Sequence, residues 1–174
     1  MESRSAPPQA ATILSEAGRR VRAIMRLHQR LQEGLGDMVR LDDLLGDICR
    51  DVAELDTVDR NAEIGVDAHP LWARSRTASA LAIITAEWVG NALEHGLADR
   101  AGSVRVVLEP TLDGARLTVS DDGVGACEGC WLPGFGLSLI SRLAAQVGGT
   151  ITSKVDNAGS RLELVCPGVW SEPA

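Results

Sequence analysis

A polar stripe of three residues interrupts an apolar helical segment. Glu87, Asn91 and His95 are spaced four residues apart within Thr77–Leu97, whose other residues are mostly Ala, Leu, Ile, Val and Trp. That spacing puts a carboxylate, an amide and an imidazole on one helix face. Polar groups on a buried helix cost free energy unless they are paired, so the stripe is either a satisfied polar seam or a functional site.

Two glycine-containing segments follow the stripe along the chain. Asp121–Gly125 (DDGVG) comes after a predicted strand, and Gly134–Leu137 (GFGL) opens a predicted helix. Glycines before a helix let backbone N–H groups approach phosphate oxygens. A carboxylate at a strand end can accept a hydrogen bond from an amino group in a pocket. Each segment alone is common, but the three segments in this order form a far more specific pattern.

The order and spacing of these segments resemble the GHKL ATPases, the Bergerat-fold group that includes gyrase, MutL and the histidine kinases. Glu87–His95 is similar to the N box, Asp121–Gly125 to the G1 box and Gly134–Leu137 to the G2 box of that group. The resemblance covers about residues 60–167. It implies an α/β Bergerat two-layer sandwich, a mixed β-sheet covered by helices and preceded here by a helical segment.

The resemblance also implies a role for each motif residue in binding ATP and Mg²⁺. Asn91 would coordinate Mg²⁺, a hard cation that prefers oxygen ligands. Glu87 would orient or deprotonate the attacking group, and His95 would contact phosphate or help to fix the helix. Asp121 would hold the adenine amino group. The remaining cofactor-binding positions, where the backbone would pass close to the nucleotide or hold the lid and phosphates, are Gly123, Gly125, Gly134, Gly136 and Leu137.

A long helical pattern over Ala10–Leu35 precedes the domain. Its apolar seam predicts packing on another helix, within a bundle or across a homodimer; the seam residues are Leu14, Ala17, Val21, Ile24, His28, Leu31 and Leu35. We interpret the opposite face as solvated; it carries Arg19, Arg22, Arg26 and Arg30. The segment is similar to the second helix of the dimerisation and phosphoacceptor hairpin in HWE-like sensor histidine kinases.

Changes in sequence pattern divide the chain into four parts. These are a disordered leader (1–9), a helical dimerisation-type segment (10–56), the ATP-binding domain (60–167) and a short polar tail (168–174). A second amphipathic helix is expected in the helical segment, at Leu41–Leu55. The alternation and turn signals of the ATP-binding domain predict strands and one further helix, at Glu63–Val66, Val104–Glu109, Ala115–Ser120, Leu137–Val147 (the helix), Ile151–Lys154 and Arg161–Val165.

Composition excludes several classes of function. With 17 Lys and Arg against 24 Asp and Glu, the net charge of −7 disfavours binding to nucleic acid or to an anionic membrane. The four Cys follow no N-terminal signal, which indicates free thiols in a reducing cytoplasm. Cys127 and Cys130 supply only two ligands where a structural zinc site needs four, so we interpret them as incidental.

Three functions remain open. The first is a histidine kinase of a two-component system, which passes the γ-phosphoryl group to a His on a partner or missing segment and then to a response regulator. His28 maps to the second helix of the hairpin and is interpreted as structural. The second is a serine kinase of the anti-sigma-factor type, whose N box is similar to Asn91–Gly96 and whose short lid resembles Ala126–Pro133. The third is a nucleotide-free phosphotransferase or docking module, which the complete glycine set disfavours.

Overall fold

The computed structural model describes residues 8–33, 37–56, 61–98, 100–124, 135–156 and 158–172. Within these ranges the helices are α1 (Pro8–Glu33), α2 (Leu41–Leu55), α3 (Ser75–Asn91), a π-helical segment (Ala92–Leu97) and α4 (Phe135–Gln146). The strands are β1 (Met38–Arg40), β2 (Ala62–Ala68), β3 (Trp72–Arg74), β4 (Gly102–Thr111), β5 (Gly114–Asp121), β6 (Thr150–Asp156), β7 (Gly159–Pro167) and β8 (Val169–Trp170).

A five-stranded sheet forms one layer of the domain, with strand order β2-β4-β5-β7-β6. β2 runs parallel to β4, whereas the remaining neighbours are antiparallel, so the sheet is mixed. Apolar residues alternate along β4 and β5, and Val104, Val106, Leu117 and Val119 are buried. Helices α3 and α4 pack on the sheet through β5 and β6. This arrangement confirms the predicted two-layer α/β class.

A second, three-stranded sheet with the order β1-β3-β8 lies outside the sequence predictions. Its strands are three, three and two residues long. Strands this short show no readable alternation of apolar and polar residues, which is why the pattern does not reveal them. β8 pairs with β3 at Trp72 and Ala73, so Val169, in the expected tail, is buried against the domain.

The predicted N-box helix forms, but its hydrogen-bond ladder changes within the motif. α3 ends at Asn91 and the chain continues as the π segment through Leu97. α3 is buried on most sides, as its apolar composition predicts, and Trp88 is its largest fully buried side chain. π segments are rare and occur frequently at functional sites.

Helix α1 packs on the domain through part of the face that carries its arginines, and its apolar seam is left exposed in the single chain. Seam residues are exposed, among them Leu14 at 68% and Val21 at 56%. Arg19 and Ala23, on the other face, are buried against the domain. The interpretation of the arginine face as solvated is therefore wrong at Arg19, whereas Arg22 is exposed as that interpretation expects. Arg19 can be buried because Glu94 of the π segment pairs with it, and Arg26 is half-buried where it pairs with Asp51 of α2. These charges therefore leave water with partners of opposite sign.

The cysteines within the described ranges are the free thiols Cys49 and Cys166. Burial raises the pKa of Cys49 to about 12 and the pKa of Cys166 to about 11. Both thiols are therefore protonated and poorly nucleophilic near neutral pH. Cys127 and Cys130 lie outside the described residues. Among the described helices, none combines the length and apolar character that a membrane span requires.

Candidate nucleotide site

The three residues of the N-box stripe differ in exposure. Glu87 is buried at 1% exposure, Asn91 is half-buried and His95 is exposed. Glu87 and Asn91 belong to α3, whereas His95 lies in the π segment. The i→i+5 bonding of a π helix changes the angular spacing, so His95 does not continue the face of the first two residues in regular α-helical register. The stripe thus runs from the core outward to solvent.

Glu87 is bound by an arginine from another helix. Arg20 of α1 donates from Nε to Oε1 of Glu87 at 2.8 Å and from Nη2 to Oε2 at 3.0 Å. A buried carboxylate requires such a partner, and the two-pronged geometry is the strong form of this interaction. Sequence reasoning missed Arg20, because 67 residues separate the two partners.

A second arginine reaches the N box beside the first. Arg19 is only 3% exposed and donates from Nη1 to Oε1 of Glu94 in the π segment. Its guanidinium lies across Gly90 of α3, where a Cβ would lie 2.6 Å from the Arg19 Cζ atom. Gly90 is therefore required for this close approach of the side chain to the helix backbone.

Asp121 lies at the end of β5, as predicted, and its side chain is held from two sides. The residue is 7% exposed. The backbone N–H of Gly123 donates to its Oδ1 at 3.0 Å, and the Ser160 hydroxyl donates to its Oδ2. Each carboxylate oxygen keeps a further lone pair that can accept a hydrogen bond from a ligand. Ser160 was missed as a site residue, because it lies just before the predicted strand Arg161–Val165 and belongs to none of the three motifs.

The G1 and N boxes meet where no side chain would fit. Val124 donates its backbone N–H to the carbonyl of Gly96 at 3.0 Å. A Cβ on Gly96 would lie 2.7 Å from Oδ1 of Asp121, and one on Gly123 would lie 2.9 Å from the same atom. The two glycines thus let the backbone of one box lie directly against the carboxylate of the other.

The G2 box is only partly described. Gly134 lies outside the described residues, as does Gly125 of the G1 box. Gly136 and Leu137 belong to the first turn of α4. A helix start is the position where backbone N–H groups can face an anion.

The donors present suit the group that the motifs imply. Asn91 offers a side-chain oxygen, the atom type that Mg²⁺ prefers, and Mg²⁺ usually binds through one or two such groups while keeping several waters. The described residues contain no cluster of three or more His, Cys, Asp or Glu that could hold a metal. These four residue types therefore form no metal cage in the described part of the chain. The side chain that would hold Mg²⁺ is the amide of Asn91.

Asp122, next to Asp121, forms its hydrogen bonds with β4 and not with the G1 or N box. It accepts hydrogen bonds from the backbone N–H and the hydroxyl of Ser103, at 2.7 and 2.8 Å. These bonds lower the pKa of Asp122 below its usual 3.8. A lowered pKa stabilises the folded chain above pH 3.8, and this contribution is lost as the pH falls through the folded-state value.

We therefore expect Asp122→Asn to lower the free energy of unfolding at pH 7, because the ionised acceptor is lost. The difference in free energy of unfolding between the variant and the wild type should become smaller as the pH is lowered below 3.8. Urea titrations at a series of pH values measure this free energy for both proteins. A difference that stays constant down to the acid end would contradict a role for the charge of Asp122.

No protein-family model matches the chain, but comparison with known proteins finds similar sequences and similar structures. The chain is 30% identical over 158 residues to the sensor histidine kinase PdtaS of Mycobacterium tuberculosis, an alignment covering 86% of this chain and 29% of PdtaS. The chain thus spans less than a third of this relative's length.

Solved structures show the same fold. The histidine kinase domain of the Erythrobacter litoralis blue-light activated histidine kinase superposes with a TM-score of 0.80 at 24% identity, covering 87% of this chain and 74% of that domain. Full-length ShkA in complex with AMPPNP gives a TM-score of 0.58 at 20% identity, covering 98% of this chain and 41% of ShkA. The curated relatives that the chain matches are thus sensor histidine kinases, and the solved structures that share its fold include histidine kinase domains.

Proposed function

We propose that the chain is the ATP-binding catalytic part of a protein-histidine kinase in a two-component system. The observation that carries the proposal is the buried carboxylate of Asp121, held by Gly123 and Ser160 against Gly96 of the N box. This juxtaposition joins the G1 and N boxes into one site. A carboxylate with lone pairs to spare at the base of such a site suits the exocyclic amino group of adenine.

Each site residue has a task in this proposal. Asp121 accepts a hydrogen bond from the adenine amino group, and Asn91 contributes an oxygen ligand to Mg²⁺. Bound Mg²⁺ would neutralise charge on the phosphates. Glu87 orients the attacking group, and His95 lies on the exposed side of the N box, where a phosphate can reach it. The chain's contribution to phosphoryl transfer is mainly positioning and charge complementarity.

The acceptor in this proposal is a His on a partner or on another segment, and a response regulator receives the phosphoryl group afterwards. The exposed seam of α1 supports this arrangement. The seam residues Leu14, Val21 and Ile24 are more than half exposed, and so is Met25 next to them. An apolar helix face of this kind pairs with another helix, either of a second copy or of the phosphoacceptor hairpin. Free buried thiols at Cys49 and Cys166 suit a reducing cytoplasm.

Calorimetric titration of Mg²⁺–ATP into the folded chain tests the nucleotide site. We expect saturable binding with one site per chain. AMPPNP, the nucleotide in the ShkA complex, should bind at the same site. A folded sample that binds neither nucleotide would contradict the proposal and favour a nucleotide-free docking module.

The phosphorylated residue separates the two kinase classes. The chain is incubated with γ-labelled ATP and a phosphoacceptor hairpin, and the labelled protein is then exposed to acid or alkali. Phosphohistidine is lost in acid, whereas phosphoserine survives it. We expect acid-labile label, and acid-stable label would indicate the anti-sigma-factor type of serine kinase instead.

A further inference from the structure

We propose that Arg19 and Arg20 of α1 are positioning residues for the N box, and we name this pair the arginine clamp. The clamp holds the N-box helix on both sides of its change from α to π. The position of α1 and the geometry of the nucleotide site are thereby coupled. The inference rests on the proposed function, because it concerns the same site.

The two ion pairs of the clamp lie on either side of Asn91, the proposed metal ligand, along the chain.

 Glu87 belongs to α3 and Glu94 to the π segment, so Asn91 lies between the two carboxylates along the chain. Arg20 binds Glu87 through both carboxylate oxygens, and Arg19 binds Glu94. Two adjacent residues of one helix therefore hold the two ends of the segment that carries the proposed metal ligand.

The contact is too close to let α1 slide freely over α3. Arg19 is 3% exposed and lies across Gly90, where a Cβ would lie 2.8 Å from its Cδ atom. Glu87 is 1% exposed. Breaking a buried ion pair leaves a buried charge without a partner, which is unfavourable. If α1 moves, Glu87 and Glu94 must therefore move with it, or the ion pairs must break. Such an interface has discrete arrangements rather than a continuous range.

The clamp also reaches the proposed adenine end of the site. Glu94, the partner of Arg19, lies two residues before Gly96 in the π segment. Gly96 contacts the Asp121 carboxylate and accepts the backbone hydrogen bond of Val124. A π segment that rewinds toward α would shift these residues, because its i→i+5 bonds would be replaced by i→i+4 bonds. The path from α1 to Asp121 is thus a continuous set of contacts.

A third arginine pair on α1 provides a matched control. Arg26 donates to both carboxylate oxygens of Asp51 on α2, at 2.7 and 2.6 Å. It has the same two-pronged geometry and the same parent helix as the Arg20 pair, but it does not touch the N box. Loss of Arg26 therefore reports what any α1 ion pair contributes to docking of the helix.

Hydrogen exchange followed by mass spectrometry tests the clamp in Arg20→Gln and Arg26→Gln. We expect amide exchange in residues 88–97 to be at least roughly tenfold faster in Arg20→Gln than in the wild type, because local opening becomes easier. Arg26→Gln should change exchange in α1 and α2 and leave residues 88–97 within about twofold of the wild type. Equal acceleration of residues 88–97 in both variants, or in neither, would overturn the clamp.

A conservative variant keeps the test decisive if Arg20→Gln does not fold. Arg20→Lys retains the charge but loses the two-pronged geometry. We expect amide exchange in residues 88–97 of Arg20→Lys to be roughly threefold faster than in the wild type. This rate lies between that of the wild type and the rate expected when the ion pair is lost. Wild-type exchange in a folded Arg20→Lys would overturn the claim that the geometry of the pair sets the N-box register.

If the position of α1 affects the nucleotide site, nucleotide binding must affect α1 by the same coupling free energy. Mg²⁺–AMPPNP should slow exchange around Arg19 and Arg20 in the wild type, and this slowing should be absent in Arg20→Gln. Slowing at residues 121–124 without any change in α1 would overturn the coupling and leave the proposed function intact. No slowing at residues 121–124 would contradict the proposed function, whereas the nucleotide-free comparison of the two variants still tests the clamp.

Discussion

Replacing Asp121 by Asn is expected to weaken ATP binding by about 30-fold or more, while the fold is retained. The factor corresponds to ~2 kcal/mol, the contribution of a hydrogen bond to a charged group. The fold is retained because the amide oxygen can still accept the Gly123 N–H, and the amide N–H₂ can donate to Ser160, whose hydroxyl can reverse its role. The adenine amino group then meets a neutral group that presents a donor on one side.

Asp122→Asn is the matched control for this experiment. It removes the same charge one residue away, but its hydrogen-bond partner is Ser103 on β4 rather than Gly123 or Ser160. Calorimetry with both variants should show weakened ATP binding only in Asp121→Asn. Equal affinity in the two variants would contradict the assignment of Asp121 to the adenine group.

Replacing Asn91 by Ala is expected to reduce Mg²⁺-dependent phosphoryl transfer by roughly 100-fold or more, since a metal ion supplies several kcal/mol of charge stabilisation in such reactions. The fold should survive. Asn91 is half-buried at the end of α3, and Ala is the best helix former. A time course of labelled phosphoryl transfer over a range of Mg²⁺ concentrations measures the loss.

The control for Asn91→Ala is Arg76→Ala, an exposed position on the first turn of the same helix. It should retain wild-type transfer and a wild-type circular dichroism spectrum. If Asn91→Ala is folded and transfers phosphate at an undiminished rate, Asn91 is not the metal ligand. If excess Mg²⁺ restores the rate, the loss lies in metal affinity, as the proposal requires.

Local patterns were sufficient for the elements that carry the site. Alternating apolar residues and the Asp113-Gly114 turn predict β4 and β5, and these strands form in antiparallel register around that turn. The apolar composition of Thr77–Leu97 predicts a buried helix, and α3 is buried. These predictions succeed because side-chain periodicity within one element determines which face can be buried.

The change from α to π within the N box could not be read in the same way. The same residues can form the hydrogen bonds of an α-helix or of a π-helix. The π segment forms where Glu94 meets Arg19 and Gly96 meets Asp121. Both partners come from distant parts of the chain. Ser160 was missed as a partner of Asp121 for the same reason, as 39 residues separate the two.

Local sequence patterns are enough to give the order of the N and G1 boxes, the strands and helix that carry them, and the apolar seam of α1. The face of α1 that meets the domain depends instead on contacts between residues far apart in the chain. A helical pattern shows that one face is apolar and the other charged, and burial of the apolar face is the ordinary outcome. Here the charged face meets the domain, because other helices present Glu94, Glu87 and Asp51 to its arginines. Pairing of charges across 25 to 75 residues of chain leaves no mark on the local pattern.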